Sequence, residues 1–282
     1  MDSRRVAVLD HRTVTLIDPA AAVFSAFDLG PSRGDGVFET MLVRSGVALK
    51  PEAHLDRLAR SAALMGVPSP RRADWARLVE VLTAEHGGGE AALKLLLTRG
   101  IERVSEYTAV GTLSPLSPEV LDQRRRGISV VALTLGLPAD LRATSPWLLG
   151  GVKYLSYAVN MAAQRHARAL GADDALFLSL DGQLLEGPTS TLVWARDRIL
   201  HTPPVETGIL PGTTQALLFA GAGTAGLGTA VSPGGLADLH AADAVWLVSS
   251  VRGAAAVTRL DGVPRGDAGL TPLIQQLTGI SP

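Results

Sequence analysis

The spacing of apolar residues changes several times along the chain, and each change marks an element. The alternating stretches "VAVLD" (6–10) and "VTLID" (14–18) predict two short strands. "VFETMLV" (37–43), the turn "RSG" and "VALK" (47–50) predict a hairpin. At "PEAHLDRLARSAALMGVP" (51–68) the spacing becomes helical. Leu55, Leu58, Ala62 and Met65 form one stripe, Pro51 suits the first turn, and Gly66 and Pro68 stop the helix. A second helix is expected over 73–86. "ALKLLLT" (92–98) and "YTAVGTL" (107–113) return to strand.

The polar, proline-marked stretch 116–127 reads as a linker. It divides a smaller N-terminal domain (1–115) from a larger C-terminal one (128–282). The second part opens with the strand "ISVVALT" (128–134), followed by a helix near 154–169 with Leu155, Ala158, Val159 and Ala162 on one face. Two hairpins follow, one turning at Asp181–Gly182 and one within "TLVWARDRILHT". A helix begins after Pro211–Gly212. "DAVWLVSS" and "AAAVTRLDG" are late strands, and a short helix closes the chain. The mixture predicts an α+β protein of two domains.

Composition narrows the function classes. With a net charge of −1, the chain has no electrostatic attraction for nucleic acid or an anionic membrane. The absence of cysteine excludes thiolate nucleophiles, disulfides and cysteine metal sites. The six histidines are scattered without ligand spacing, so no metal is expected. No apolar run approaches the ~20 residues of a membrane span, and "MDSRRVAVLDHR" lacks the apolar core of a signal peptide. A cytoplasmic protein is expected. "GAGTAG" (221–226) matches a dinucleotide fingerprint by letter only, because a helix precedes it and none can follow. It reads as a helix exit.

Lysine usage is more informative. Of 26 basic residues only Lys50, Lys94 and Lys153 are lysines. Lys50 sits in a Lys-Pro turn, and Lys94 reads as a solvent-facing strand residue. Lys153 stands in "GVKYLSYAVNMAA" beside apolar residues. There an amine can lose its charge and attack a carbonyl, which a guanidinium cannot do. Two further features supply what such an amine needs. Glu186 stands where a strand meets a Gly-Pro bend. In "GILPGTTQALLF", Thr213 and Thr214 open a helix, and a helix N-terminus suits an anion. Arg57 in "HLDRL" is a further candidate phosphate ligand.

Seven pieces in order, "RGDGVFET", "HLDRL", "LLLTRG", "GVKYLSY", "LLEGPTSTLVW", "GILPGTT" and "WLVSSV", resemble the fold-type IV pyridoxal phosphate enzymes. That family includes branched-chain and D-amino acid aminotransferases and 4-amino-4-deoxychorismate lyase. The resemblance implies a two-domain fold with the cofactor in the inter-domain cleft, and a homodimer. By motif position, Lys153 resembles the Schiff-base and proton-transfer lysine, and Glu186 the partner of the pyridine nitrogen. Tyr157 is similar to a tyrosine beside the cofactor's phenolic oxygen. Arg57, Thr213, Thr214 and Ser250 resemble phosphate ligands. Arg99, Arg252 and Phe38 are expected at the substrate, an amine bearing carboxylates. Thr40 looks like the threonine of the lyases, which favours p-aminobenzoate and pyruvate as products. Tyr157 is more aminotransferase-like, so a class IV aminotransferase or a bifunctional enzyme is the alternative.

Overall fold

The structure is a computed structural model that describes residues 4–84, 86, 88–104 and 106–280. The chain forms two units. The first contains the residues up to Ser117 together with Val152–Tyr157. The second contains Pro118–Gly151 and the chain from Ala158 onward.

The first unit is built on a sheet of β1 (Arg5–Asp10), β2 (Thr13–Ile17), β3 (Gly36–Arg44), β4 (Val47–Ala48), β5 (Glu90–Thr98) and β6 (Thr108–Pro115). Their order is β2-β1-β6-β5-β3-β4, and every pairing is antiparallel. A short helix, α1 (Leu29–Arg33), precedes β3, and α2 (Pro51–Met65) and α3 (Arg72–Thr83) follow the hairpin. Strand alternation gives the sheet two different faces. Val37, Met41, Val43, Leu93, Leu95 and Leu97 are buried on one of them, where β3 meets α2. Phe38, Thr40, Lys94 and Leu96 lie on the other and are half-buried or exposed.

The second unit opens with α4 (Pro118–Arg126), so most of the expected linker is helix. Pro118 suits a first turn, Glu119 lies near the positive end of the helix, and Arg124–Arg126 lie near the negative end. The three arginines that end the expected linker form this helix's last turn, with Arg124 buried. Next come β7 (Ile128–Thr134), the short α5 (Leu141–Thr144), α6 (Ala158–Ala169), β8 (Asp174–Leu178), β9 (Thr191–Arg196) and β10 (Ile199–Thr202). They are followed by α7 (Thr213–Ala222), β11 (Gly228–Val231), α8 (Leu236–Ala241), β12 (Ala244–Ser249), β13 (Gly253–Leu260), β14 (Val263–Pro264) and α9 (Thr271–Thr278). The mixed sheet runs β11-β10-β9-β12-β13-β7-β8, with β14 beside β13.

Strands β9 and β12 are apolar on both faces because both faces are covered. Leu192, Trp194, Val245 and Leu247 pack in one core layer. Val193, Leu200, Trp246 and Val248 pack in another with Leu218 of α7 and Ile274 of α9. "GAGTAG" is the end of α7 and the tight turn after it, leading to β11. Among the described residues, no helix is long and apolar enough to cross a membrane.

Candidate active site

The lysine cluster lies in the first unit. The helix expected from 154 begins only at Ala158. Residues 153–155 instead pair with β3 as a short extra strand. The Phe38 N–H donates to the Lys153 carbonyl at 3.0 Å, the Leu155 N–H donates to the Gly36 carbonyl at 2.8 Å, and Val37 bridges Tyr154. From α2, the Ser61 hydroxyl accepts the Lys153 N–H at 3.2 Å. This close pairing explains the glycines of "RGDG". A Cβ on Gly36 would collide with the Leu97 carbonyl and stand 2.7 Å from Leu155 Cδ1. Gly34 has φ +71°, and a Cβ there would strike Ser156.

Rings surround the amine. Lys153 Nζ lies 4.4 Å from the Phe38 ring centroid and 5.6 Å from that of Tyr157. The two rings meet edge to face with centroids 5.0 Å apart. Thr40 lies two residues from Phe38 on the same sheet face, opposite Lys94 in the ladder. Its half-buried hydroxyl hydrogen-bonds to no other group among the described residues.

Arg57 lies on α2 one turn before Ser61. Its Nε and Nη2 both donate to the Glu39 carboxylate, at 2.6 and 2.8 Å. His54 Nδ1 approaches the same carboxylate at 2.7 Å. Glu39 is fully buried, with His54 and Arg57 at 3% and 6% exposure. Burial pushes the Glu39 carboxyl up, but the hydrogen bonds and charges of Arg57 and His54 outweigh it and hold the group at about 2. Glu39 and His54 were not anticipated. Their signal was the strand period, which sets Glu39 on the face opposite Thr40 and toward α2.

Arg99 departs from expectation. Its Nε and Nη2 pair with Asp35 at 2.6 and 3.3 Å, while Nη1 and Nη2 donate to the carbonyls of Gly66 and Met65, both at 2.8 Å. The guanidinium ties the end of β5 to the C-terminus of α2, where helix carbonyls lack partners.

A second cluster lies in the other unit. Glu186 follows the Asp181–Gly182 turn, and its backbone pairs with Phe177. Its Oε2 accepts the Leu210 N–H at 3.0 Å, and Oε1 lies 4.0 Å from Nη1 of Arg142 on α5. Arg142 gave no sequence signal, because α5 is a single turn without a motif. Gly208 (φ +77°) leaves room for it, since a Cβ there would collide with the Arg142 side chain. Gly151, the last residue before the lysine segment, donates to the Gly208 carbonyl at 3.0 Å.

Thr213 and Thr214 open α7, whose N-cap, Gly212, is extended and offers no capping side chain. The Thr213 hydroxyl lies 3.3 Å from that of Ser250 at the end of β12, and Thr214 is buried. Uncapped first-turn amides with two hydroxyls beside them suit a phosphate dianion.

Arg252 also departs from expectation. It is buried, with Nη2 donating to Asp174 at 2.8 Å and Nη1 to Gln123 at 3.2 Å. Asp174 is fully buried and needs that cation. Arg252 holds the interior of the second unit together and is not presented to a substrate.

Each unit by itself carries donors that suit pyridoxal phosphate: the first a lysine walled by rings, the second a carboxylate fixed by a backbone amide and an uncapped helix start flanked by hydroxyls. Comparison with known proteins agrees. Residues 36–260 match the family described as "Amino-transferase class IV". The chain is 46% identical over 257 residues to "Bifunctional aminodeoxychorismate lyase / D-amino acid transaminase" of Mycobacterium tuberculosis, covering 88% of this chain and 89% of that one. The fold matches "A hypothetical aminotransferase from Mycobacterium tuberculosis, PLP-bound form" with a TM-score of 0.94 and 43% identity, over 98% and 97% of the two chains. It also matches the "fold IV-transaminase, CpuTA1, from Curtobacterium pusillum" with a TM-score of 0.93 and 40% identity, over 98% of each. The chain belongs to the class IV aminotransferase family of pyridoxal phosphate-dependent enzymes.

Proposed function

We propose that this enzyme is a 4-amino-4-deoxychorismate lyase, releasing p-aminobenzoate and pyruvate. The observation that carries the reading is Thr40. It presents an unengaged hydroxyl on the sheet face where Lys153 Nζ lies against Phe38. A half-buried strand hydroxyl without a protein partner suits proton delivery to a leaving group.

When bound, pyridoxal phosphate supplies a carbonyl that condenses with amines and a ring that takes up electrons from the amine-bearing carbon. Lys153 would hold it through Nζ, and the same amine, when free, would take the proton from that carbon. Glu186, fixed by the Leu210 amide, would keep the ring nitrogen protonated. Thr213, Thr214, Ser250 and the first amides of α7 would hold the phosphate, with Arg57, whose guanidinium is paired with Glu39, as a further positive charge. Tyr157 would contact the ring's phenolic oxygen, and Thr40 would give a proton to the departing enolpyruvyl group. The two products together contain all the substrate's atoms, so the reaction needs no second substrate.

The direct test is to incubate the holoenzyme with 4-amino-4-deoxychorismate and quantify p-aminobenzoate. Thr40→Val should lower that rate by about 10²-fold, within the usual range for a positioned acid. If no p-aminobenzoate forms while D-alanine and a keto acid exchange amine, the lyase reading fails. D-amino acid transamination is the second reading. It is supported by the name of the 46% identical relative and by Tyr157 beside the lysine. Glutamate formed from D-alanine and α-ketoglutarate measures it. Pyruvate alone does not discriminate, since both reactions release it.

A further inference from the structure

We infer that Arg142 is the positioning residue of Glu186: its guanidinium fixes the Oε1 end of that carboxylate and keeps the group an anion. This role deepens the proposed reaction and rests on the assignment of Glu186 to the cofactor's pyridine nitrogen. All the residues involved lie in the second unit.

Arg142 is held by a fit between three chain segments. A Cβ on Gly208 would stand 2.4 Å from the Arg142 Cβ, and a Cβ on Gly150 would stand 2.8 Å from the Arg142 carbonyl oxygen and 3.1 Å from the Gly208 Cα. Helix α5, the corner at Gly150 and Gly151, and the turn ending at Gly208 can close on one another because these positions lack a side chain. The Gly151 N–H secures the corner by donating to the Gly208 carbonyl at 3.0 Å. Two residues past Gly208, the Leu210 N–H reaches Glu186 Oε2 at 3.0 Å. One segment thus seats both partners, the arginine by its glycine and the carboxylate by its amide.

The Arg142 side chain is 13% exposed and that of Glu186 17%, and their 4.0 Å approach is the one ion pair of Arg142 among the described residues. The distance sets Arg142 apart from the arginines that build the fold. Arg57, Arg99 and Arg252 donate to their carboxylates at 2.6, 2.6 and 2.8 Å. Arg142 stands off, so it supplies charge without occupying the oxygen as a direct hydrogen bond does. The acids on the neighbouring elements do not compete for it. Asp140 before α5 and Glu206 in the Val205–Thr207 turn are exposed, and Asp174 on β8 is paired with Arg252. A cation beside a carboxylate favours its anion. A proton shared between that anion and a pyridine nitrogen then rests on the nitrogen.

The test reads that proton directly. The holoenzyme is prepared with pyridoxal phosphate isotopically labelled at its ring nitrogen, and the magnetic resonance shift of that nitrogen is recorded at neutral pH. Wild type should show the protonated nitrogen and Glu186→Gln the unprotonated one. Arg142→Met, which keeps the packed stem, should move the ratio of the two forms toward the unprotonated one by about tenfold or more, the effect of losing one opposite charge at this range. Arg142→Gln should do the same, and it serves if the methionine variant takes up no cofactor. Arg142→Lys should restore the wild-type shift, because a point charge suffices where no forked hydrogen bond is made. An unprotonated nitrogen in wild type, or a wild-type shift in the neutral Arg142 variants, overturns the inference. Loss of stability in urea together with a wild-type shift would assign Arg142 to packing alone. If Glu186→Gln also keeps the wild-type shift, the assignment of Glu186 fails as well. The measurement uses no substrate, so the choice between lyase and aminotransferase does not enter it.

Discussion

Phe38 and Lys153 engage each other twice. The Phe38 N–H donates to the Lys153 carbonyl at 3.0 Å, and the amine at the tip of Lys153 returns to lie 4.4 Å from the Phe38 ring centroid. Backbone and side chain of the lysine are thus set by one residue of β3. Phe38→Leu keeps the backbone contact and removes the ring, losing about 0.5–1 kcal/mol of amine–ring attraction. Cofactor affinity, titrated spectroscopically into the apo-protein, should weaken about two- to fivefold, following that attraction. Borohydride reduction followed by peptide mapping should place the label on Lys153. A label on Lys50 or Lys94 would sink the assignment.

Gly36 tests whether the lysine segment needs its seat against β3. A methyl group there collides with the Leu97 carbonyl and crowds Leu155. Gly36→Ala should cost about 1–3 kcal/mol, as overpacking does. The loss is read from urea unfolding, and the borohydride label on Lys153 should fall with it. Full stability and full labelling together would show that the segment tolerates displacement.

The Glu39 cluster predicts an acid limb of stability. The folded-state carboxyl is held at about 2, below its ordinary 4.5. The stabilisation is therefore fully present above pH 4.5 and lost as pH falls toward 2. Asp173 contributes with the same sign, held at about 2 chiefly by its hydrogen bond from Arg126. Comparing Glu39→Gln with Asp173→Asn in acid titrations of the unfolding free energy separates the two. Glu39→Gln should flatten its share of the limb. It should also cost roughly 3–5 kcal/mol at neutral pH, because the Arg57 guanidinium loses a buried counter-charge.

Arg99 and Arg252 should behave as fold residues. Arg99→Gln is expected to destabilise the protein by about 1–3 kcal/mol through unsatisfied partners. Arg252→Gln should cost roughly 3–5 kcal/mol, since Asp174 stays buried without its cation. For Arg99→Gln, KM for the amine substrate should move less than about twofold, in keeping with a site left intact. A tenfold rise in KM at wild-type stability would return Arg99 to the substrate.

Much of this was legible in the sequence, and the misses have physical causes. Strand β12 and helix α2 announce themselves because one period runs through each. Residues 154–157 satisfy a helical spacing as well as their neighbours do, yet β3 has free edge groups that pair with 153–155 and delay the helix to Ala158. Motif order singled out Lys153, Glu186 and Thr213 because each stands in a short local pattern. It did not locate the partners of Arg99 or Arg252, because a motif specifies a guanidinium and not the carboxylate that meets it. Arg142 lies 44 residues before Glu186 in the chain, so only the fold brings the two together.

The excursion of Val152–Tyr157 into the first unit also bears on recombination between relatives. A single crossover between residues 117 and 118 would join the β3 and α2 of one parent to the lysine segment of the other. Gly36, Phe38 and Ser61 would then come from a different ancestor than the backbone they seat. Domain shuffling in this chain therefore calls for a double exchange, or a matched six-residue insert, rather than one cut at the apparent boundary.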